Sequence, residues 1–207
     1  MFKKLGSDLL GLSDIGKILT PEQFSHADVD DYILNEDNEK IYFVIKSKTD
    51  EYCFTNLALI HLDGESAVSS KRLLSRYDYY YEAIDQVQLE TAGTVDLDVE
   101  LKFTIGGESF SIDVDKNQLD KLKDLYKALY KISVIQDQNK AKMNYAVQSQ
   151  ELASRYLERA GMSAGQGSGV VSDFEAIRNS TFEFMKEQHQ ANLRTDYGDV
   201  FEKYINN

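Results

Sequence analysis

The 207-residue chain has a single cysteine, a single proline and no tryptophan. One thiol, Cys53, excludes an intrachain disulfide framework. Cys53 lies in the strand-like run Glu51-Tyr-Cys-Phe-Thr-Asn56, where burial is the plain expectation. A nucleophilic thiol would want a His or Lys beside it. His26, His61 and His189 are far apart and lack ligand spacing, so no zinc site is expected. No run of about 18 apolar residues occurs, which excludes a membrane-crossing helix. After Met1-Phe-Lys-Lys4, the residues Asp8, Gly11, Asp14 and Gly16 interrupt any signal-peptide core. A cytoplasmic protein is expected. Dinucleotide-binding glycines, a P-loop, H-E-x-x-H, a nucleophile elbow and an EF-hand loop are all missing. The sequence therefore offers no catalytic residue, no cofactor-binding residue and no metal ligand, and it reads as non-enzymatic.

Positive charge is scarce in the first half. Residues 1–115 carry 10 Lys+Arg against 23 Asp+Glu, a balance of −13, whereas residues 116–207 carry 13 against 12. The acidic half repels phosphate backbones, which excludes nucleic acid as a general partner. Its one local basic group is Lys46, Lys48, Lys71, Arg72 and Arg76. Gathered at one mouth, these side chains would suit an acidic partner surface or a phosphorylated headgroup. The plainer reading is charge balance against neighbouring acids.

The clearest local pattern runs from Val95 to Ile105. Val95, Leu97, Val99, Leu101, Phe103 and Ile105 alternate strictly with polar residues, which predicts a strand with one buried face. A one-residue slip would turn all six to water, at roughly 1.5–3 kcal/mol each. Gly106-Gly107 permits a tight reversal, and Ser109–Val114 resumes the alternation with Phe110, Ile112 and Val114 inward. Asp96, Asp98 and Glu100 are then simply the wet face. Upstream, Thr20-Pro-Glu-Gln23 predicts a short helical turn. Seven strands are expected between Asp31 and Val114: Asp31–Leu34, Lys40–Lys46, Glu51–Asn56, Ala58–Asp63, Leu73–Tyr77, Asp85–Glu90 with Val95–Ile105, and Glu108–Val114. Many short strands with one apolar face must close on themselves or pack against a cover. The tyrosines at 77, 79, 80 and 81 are expected to pack at a barrel rim.

The cover follows directly. Asp115 can cap a helix, and Leu119, Leu122, Leu125, Tyr126, Leu129 and Ile132 recur at three and four. The helical pattern continues to about Ala160. A helix of that length spans roughly 67 Å, against about 25–35 Å for a compact domain of this size. A glycine-rich turn, Gly161–Gly169, precedes a second helix from Ser172 to about Leu193. Two helices joined in this way predict a helical hairpin whose apolar residues exceed one narrow seam. Leu152, Tyr156, Leu157, Phe182, Phe184 and Met185 are the candidate oligomer interface, in which hairpins from sister copies cover one another. Tyr197, Val200, Phe201 and Tyr204 form a last amphipathic turn, expected on the hairpin or on a neighbour. Phe2, Leu5, Leu9 and Leu12 also recur at helical spacing. With the basic group, they give the alternative reading of a peripheral membrane adaptor for anionic lipid headgroups.

The residues Asp50-Glu-Tyr-Cys-Phe-Thr-Asn-Leu-Ala-Leu-Ile60, Asp63-Gly-Glu-Ser-Ala67, Lys71-Arg72 and Arg76-Tyr77 resemble the bacterial pleckstrin-homology-like family. So do the opening Phe2-Lys-Lys-Leu5, Gly11-Leu-Ser-Asp-Ile-Gly-Lys17 and Glu90-Thr-Ala-Gly-Thr-Val-Asp-Leu-Asp98. The tail is similar to that of the YvbH-type members. The resemblance implies a mixed α+β chain: a seven-stranded, partly open β-barrel capped by a helix over residues 1–132, then a helical hairpin extension over 133–207. It also implies cyclic homo-oligomeric rings assembled through the PH-like domains and the helical hairpins, an unknown protein partner met at a polar surface where strands of neighbouring subunits meet, and no catalysis, metal or cofactor. No lipid-contact motif carries over residue by residue.

Overall fold

The computed structural model describes residues 15–64, 72–91, 98–163 and 170–205. Two sheets carry the strands. The first is antiparallel in the order β1 (Lys17–Ile18), β2 (Ile41–Lys46), β3 (Glu51–Thr55), β4 (Ala58–Asp63) and β5 (Leu73–Asp78). The second holds β6 (Ile84–Glu90), β7 (Asp98–Ile105) and β8 (Glu108–Asp115). Three helices follow: α1 (Leu119–Ser163), α2 (Val170–Asn192) and α3 (Gly198–Ile205). No helix among the described residues is long and apolar enough to cross a membrane.

The alternation in β7 appears as expected: Val99, Leu101, Phe103 and Ile105 are buried and the residues between them are not. Val95 to Leu97 lie outside the described residues. Gly106 and Gly107 take φ of +61° and +80°, the left-handed region a tight hairpin turn requires. That turn fixes the pairing of Ile105 with Glu108 and the whole β7–β8 register. Phe103 stacks on Phe110 at 5.2 Å, and Phe54 meets Phe103 at 6.2 Å across the sheets. Leu122, Leu125, Leu129 and Ile132, spaced three and four apart, are fully buried on the first part of α1.

The sheets are not closed into a barrel, contrary to the expectation from sequence. β5 and β6 belong to different sheets. A turn at Asp78–Glu82 separates them, closed by Tyr81 N and Glu82 N donating to Asp78 O. Beyond it, Gln86 at φ +53° breaks the β6–β7 register. At the opposite corner one short segment ties the sheets. Gly16 N donates to Asp113 O at 2.8 Å, Asp115 N donates to Gly16 O at 3.1 Å, and Ile18 pairs with Ile45. Gln118 brackets this segment, accepting from Ile18 N at 2.8 Å and donating to Ile18 O at 3.0 Å.

The strand expected at Asp31–Leu34 is absent. Asp28–Tyr32 is a 3-10 turn, with Tyr32 and Leu34 exposed and only Val29 buried. Three aspartates in five residues favour local turns over a ladder. This turn and the Pro21–His26 turn before it cover the outer face of the first sheet. Leu19, Ala27, Val29, Val44, Cys53, Ile60 and Leu62 form a second core there. Cys53 is thus packing, and burial raises its thiol pKa well above the ordinary value.

Two compact units result: Met1–Val134 with Thr195–Asn207, and Ile135–Arg194. The last helix returns to the sheet unit, not to the hairpin or a neighbour as its pattern alone suggested. Tyr197 N donates to Asn56 O at 2.8 Å, and Asn56 Nδ2 donates to Asp196 Oδ2 at 2.7 Å. Phe201 stacks on Tyr42 at 5.3 Å, and Tyr79 meets both Tyr197 and Phe201. Asp196 caps α3 through Gly198 N at 2.7 Å. Gly198 packs so closely that a Cβ would come within 2.8 Å of the Tyr42 hydroxyl.

Candidate functional site

Two places carry the candidate residues: the basic group on the sheet unit and the outer faces of the helical unit. On the sheet unit, Lys46 and Glu51 face each other directly across the β2–β3 pair. Their side chains form a buried ion pair. Lys46 Nζ also donates to His26 O at 3.2 Å, and Val29 N donates to Glu51 Oε2 at 3.0 Å. Arg72 pairs with Asp28 and approaches Glu51 at 3.8 Å. These contacts pin the 3-10 turns to the first sheet.

Arg76 belongs to a second network. It reaches Glu39 at 3.0 Å and Asp78 at 2.8 Å. Glu39 also accepts from Thr55 Oγ1 at 2.6 Å and from Leu34 N at 2.8 Å. Burial works against the Arg76 charge, and the hydrogen bonds to Glu39 and Asp78 overcome it, so its pKa is raised. The five cations therefore do not form one open patch. Lys46, Arg72 and Arg76 hold internal carboxylates, Lys48 is exposed, and Lys71 lies outside the described residues. The Lys46–Glu51 pair was open to sequence reasoning, because a four-residue turn between two strands sets the residues on either side of it opposite each other. Glu39 gave no local signal.

The rest of the sheet unit is packing and wet surface. Tyr77 packs on Phe110, and Tyr79 is buried against α3. Tyr80 and Tyr81 meet edge to face, with Tyr81 exposed. Glu100 bonds Ser111 and pairs with Lys102 on the outer face of the second sheet. Asp96 lies outside the described residues. Among the described residues no group of three His, Cys, Asp or Glu is placed to hold a metal ion.

The helical unit is built inside out. Its seam lies along Met143, Ala146, Gln150 and Ser154 of α1 and Thr181, Phe184, Gln188 and Asn192 of α2. Gln150 Nε2 donates to Thr181 Oγ1 at 2.5 Å across it. Ala146 is the one buried apolar side chain described in this unit. The large apolar residues point outward: Tyr145 is 68 % exposed, Leu152 65 %, Tyr156 75 % and Phe182 64 %. Of the six expected interface residues, Leu152, Tyr156 and Phe182 are exposed, while Phe184 and Met185 are half-buried. The Leu157 side chain lies outside the described residues.

Comparison with known proteins places this architecture. The family model described as "Bacterial PH domain" matches residues 9–133. The chain belongs to the bacterial PH domain family. A second model, the YvbH-like oligomerisation region, matches residues 144–207 of this PH-domain protein. It is 52 % identical to Uncharacterized protein YvbH of Bacillus subtilis (strain 168) over the full length of both chains. The crystal structure of a PH domain containing protein from Exiguobacterium sibiricum 255-15 superimposes with a TM-score of 0.83 at 49 % identity. That match covers 93 % of this chain and 100 % of the other.

Proposed function

We propose that this PH-domain protein is a non-enzymatic interaction module that assembles into a cyclic homo-oligomer, with the helical unit as its assembly element. The observation that carries this reading is the outward placement of Tyr145, Leu152, Tyr156 and Phe182 on a unit whose seam buries only Ala146 among its described apolar side chains. A two-helix element of this kind has little core of its own, and each large apolar side chain gains roughly 1.5–3 kcal/mol when covered. Aromatic anchors at the centre of a patch are what protein interfaces use. The match of residues 144–207 to an oligomerisation region supports a sister copy as the cover. Assembly then displays several copies of the PH domain side by side, so a partner with repeated sites gains avidity.

The lipid-binding alternative is weakened, because Lys46, Arg72 and Arg76 already hold internal carboxylates. Light scattering on the eluted protein at micromolar concentration tests the assembly. A mass several times 23.6 kDa is expected. The triple variant Leu152→Ser, Tyr156→Ser, Phe182→Ser should elute at the mass of one chain. A wild-type protein of one-chain mass overturns the reading.

A further inference from the structure

We infer that sister helical units join ridge to groove, two different sides meeting rather than one side meeting itself. This rests on the self-association proposed above and specifies how it is made. The seam residues follow the same spacing on both helices: 143, 146, 150 and 154 on α1, and 181, 184, 188 and 192 on α2. Gln150 and Thr181 touch at similar distances from the Ser163 and Val170 ends that face the connection, so the helices run in opposite directions.

In an antiparallel pair, residues one step beyond a seam position fall on the same side of both helices, because each residue turns about 100°. Val147, Glu151, Arg155, Phe182 and Met185 are all one step beyond. A groove runs along that side, lined by Val147, Gln150, Glu151, Ser154, Arg155 and Met185. Tyr145, Leu152 and Tyr156 are spaced seven and four apart and lie about 140° from the seam in the other sense. They form a ridge directed away from the groove.

A ridge on one side and a groove on the other cannot satisfy each other within a single copy. A two-fold contact of ridge on ridge would leave the groove and Phe182 in water. Ridge into groove covers both and repeats from copy to copy, the head-to-tail arrangement that makes a ring when the rotation between copies closes. On α2, Glu183 and Glu187 lie toward the ridge side and Arg178 toward the groove side, where Glu151 and Arg155 of α1 offset each other. Residues 144–207, which carry both ridge and groove, match an oligomerisation region. The occupant of the groove is therefore a second copy of this chain, and its entering residues are Tyr145, Leu152 and Tyr156.

Disulfide trapping of the full chain tests the pairing. Cys53 is fully buried with a raised thiol pKa, so it stays silent. Three variants are oxidised and run on denaturing, non-reducing gels: Leu152→Cys, Val147→Cys and the double variant. The two positions point to different sides of α1 and cannot bridge within one helix. The double variant should give a ladder of covalent oligomers, and each single variant should remain at one-chain mass. Dimers from Leu152→Cys alone at the yield of the double variant would overturn the inference. So would the absence of any ladder from variants that light scattering shows to be assembled, and that result leaves self-association standing. A one-chain mass for the wild-type protein would instead remove both.

Discussion

At the scale of single residues, the first sheet is held by polar side chains in places where apolar ones would be ordinary. His61 stacks on Tyr52 at 4.4 Å, and its Nε2 lies 3.3 Å from Asp50. The hydrogen bond from His61 chiefly, with one from Thr49, keeps the Asp50 carboxyl below its usual pKa against the opposing effect of burial. A carboxylate with a depressed folded pKa stabilises the fold above its unfolded pKa of about 4, and the contribution is lost as pH falls through the folded value. The urea midpoints of wild type and Asp50→Asn should therefore differ at neutral pH and converge as pH falls through the depressed folded pKa of Asp50. A gap that persists undiminished at low pH would contradict this role. Cys53 was legible at this scale, because a lone thiol in an apolar strand with no base beside it packs. The partners of Arg72 and Arg76 were not. Spacing along the chain says nothing about a carboxylate brought in from another turn, and Glu39 is 37 residues from Arg76.

Elements were legible in proportion to their length. β7 and the first part of α1 repeat their period often enough to declare which face is buried. β1, with two residues, has no period at all and is recognised only by what it joins. The run Asp31–Leu34 shows the opposite failure: Tyr32, Ile33 and Leu34 suit a strand, but the aspartates at 28, 30 and 31 favour the 3-10 turn over Asp28–Tyr32. α3 is the instructive case. Tyr197, Val200 and Phe201 announce a buried face, but amphipathicity names no destination, and the true one is a shelf of Tyr42 on β2 with Asn56 and Tyr79 from the turns after β3 and β5. Phe201 is fully buried there, so Phe201→Ala should cost about 3–5 kcal/mol in the stability of the sheet unit. Because the chain has no tryptophan, the near-ultraviolet circular dichroism of its tyrosines is the signal to follow in urea. An unchanged midpoint would mean that α3 does not dock on this shelf.

For the whole molecule, the decisive fact is that the sheet unit is discontinuous in sequence: Met1–Val134 is completed by Thr195–Asn207 across the Ile135–Arg194 unit. Replacing residues 135–194 by a flexible glycine–serine linker should leave a folded protein of one-chain mass, readable by light scattering and by the tyrosine signal together. Cutting the chain after residue 134 should instead strip α3 from Tyr42 and Tyr79 and lower stability by about as much as Phe201→Ala or more. A shortened protein as stable as the linker version would refute the shared architecture. The order of synthesis gives this discontinuity a further meaning. Translation delivers residues from the amino end, so the closing piece of the sheet unit leaves the ribosome last. Every nascent chain must therefore make residues 135–194 before its sheet unit can be completed, and Tyr42 and Tyr79 wait uncovered until Phe201 arrives.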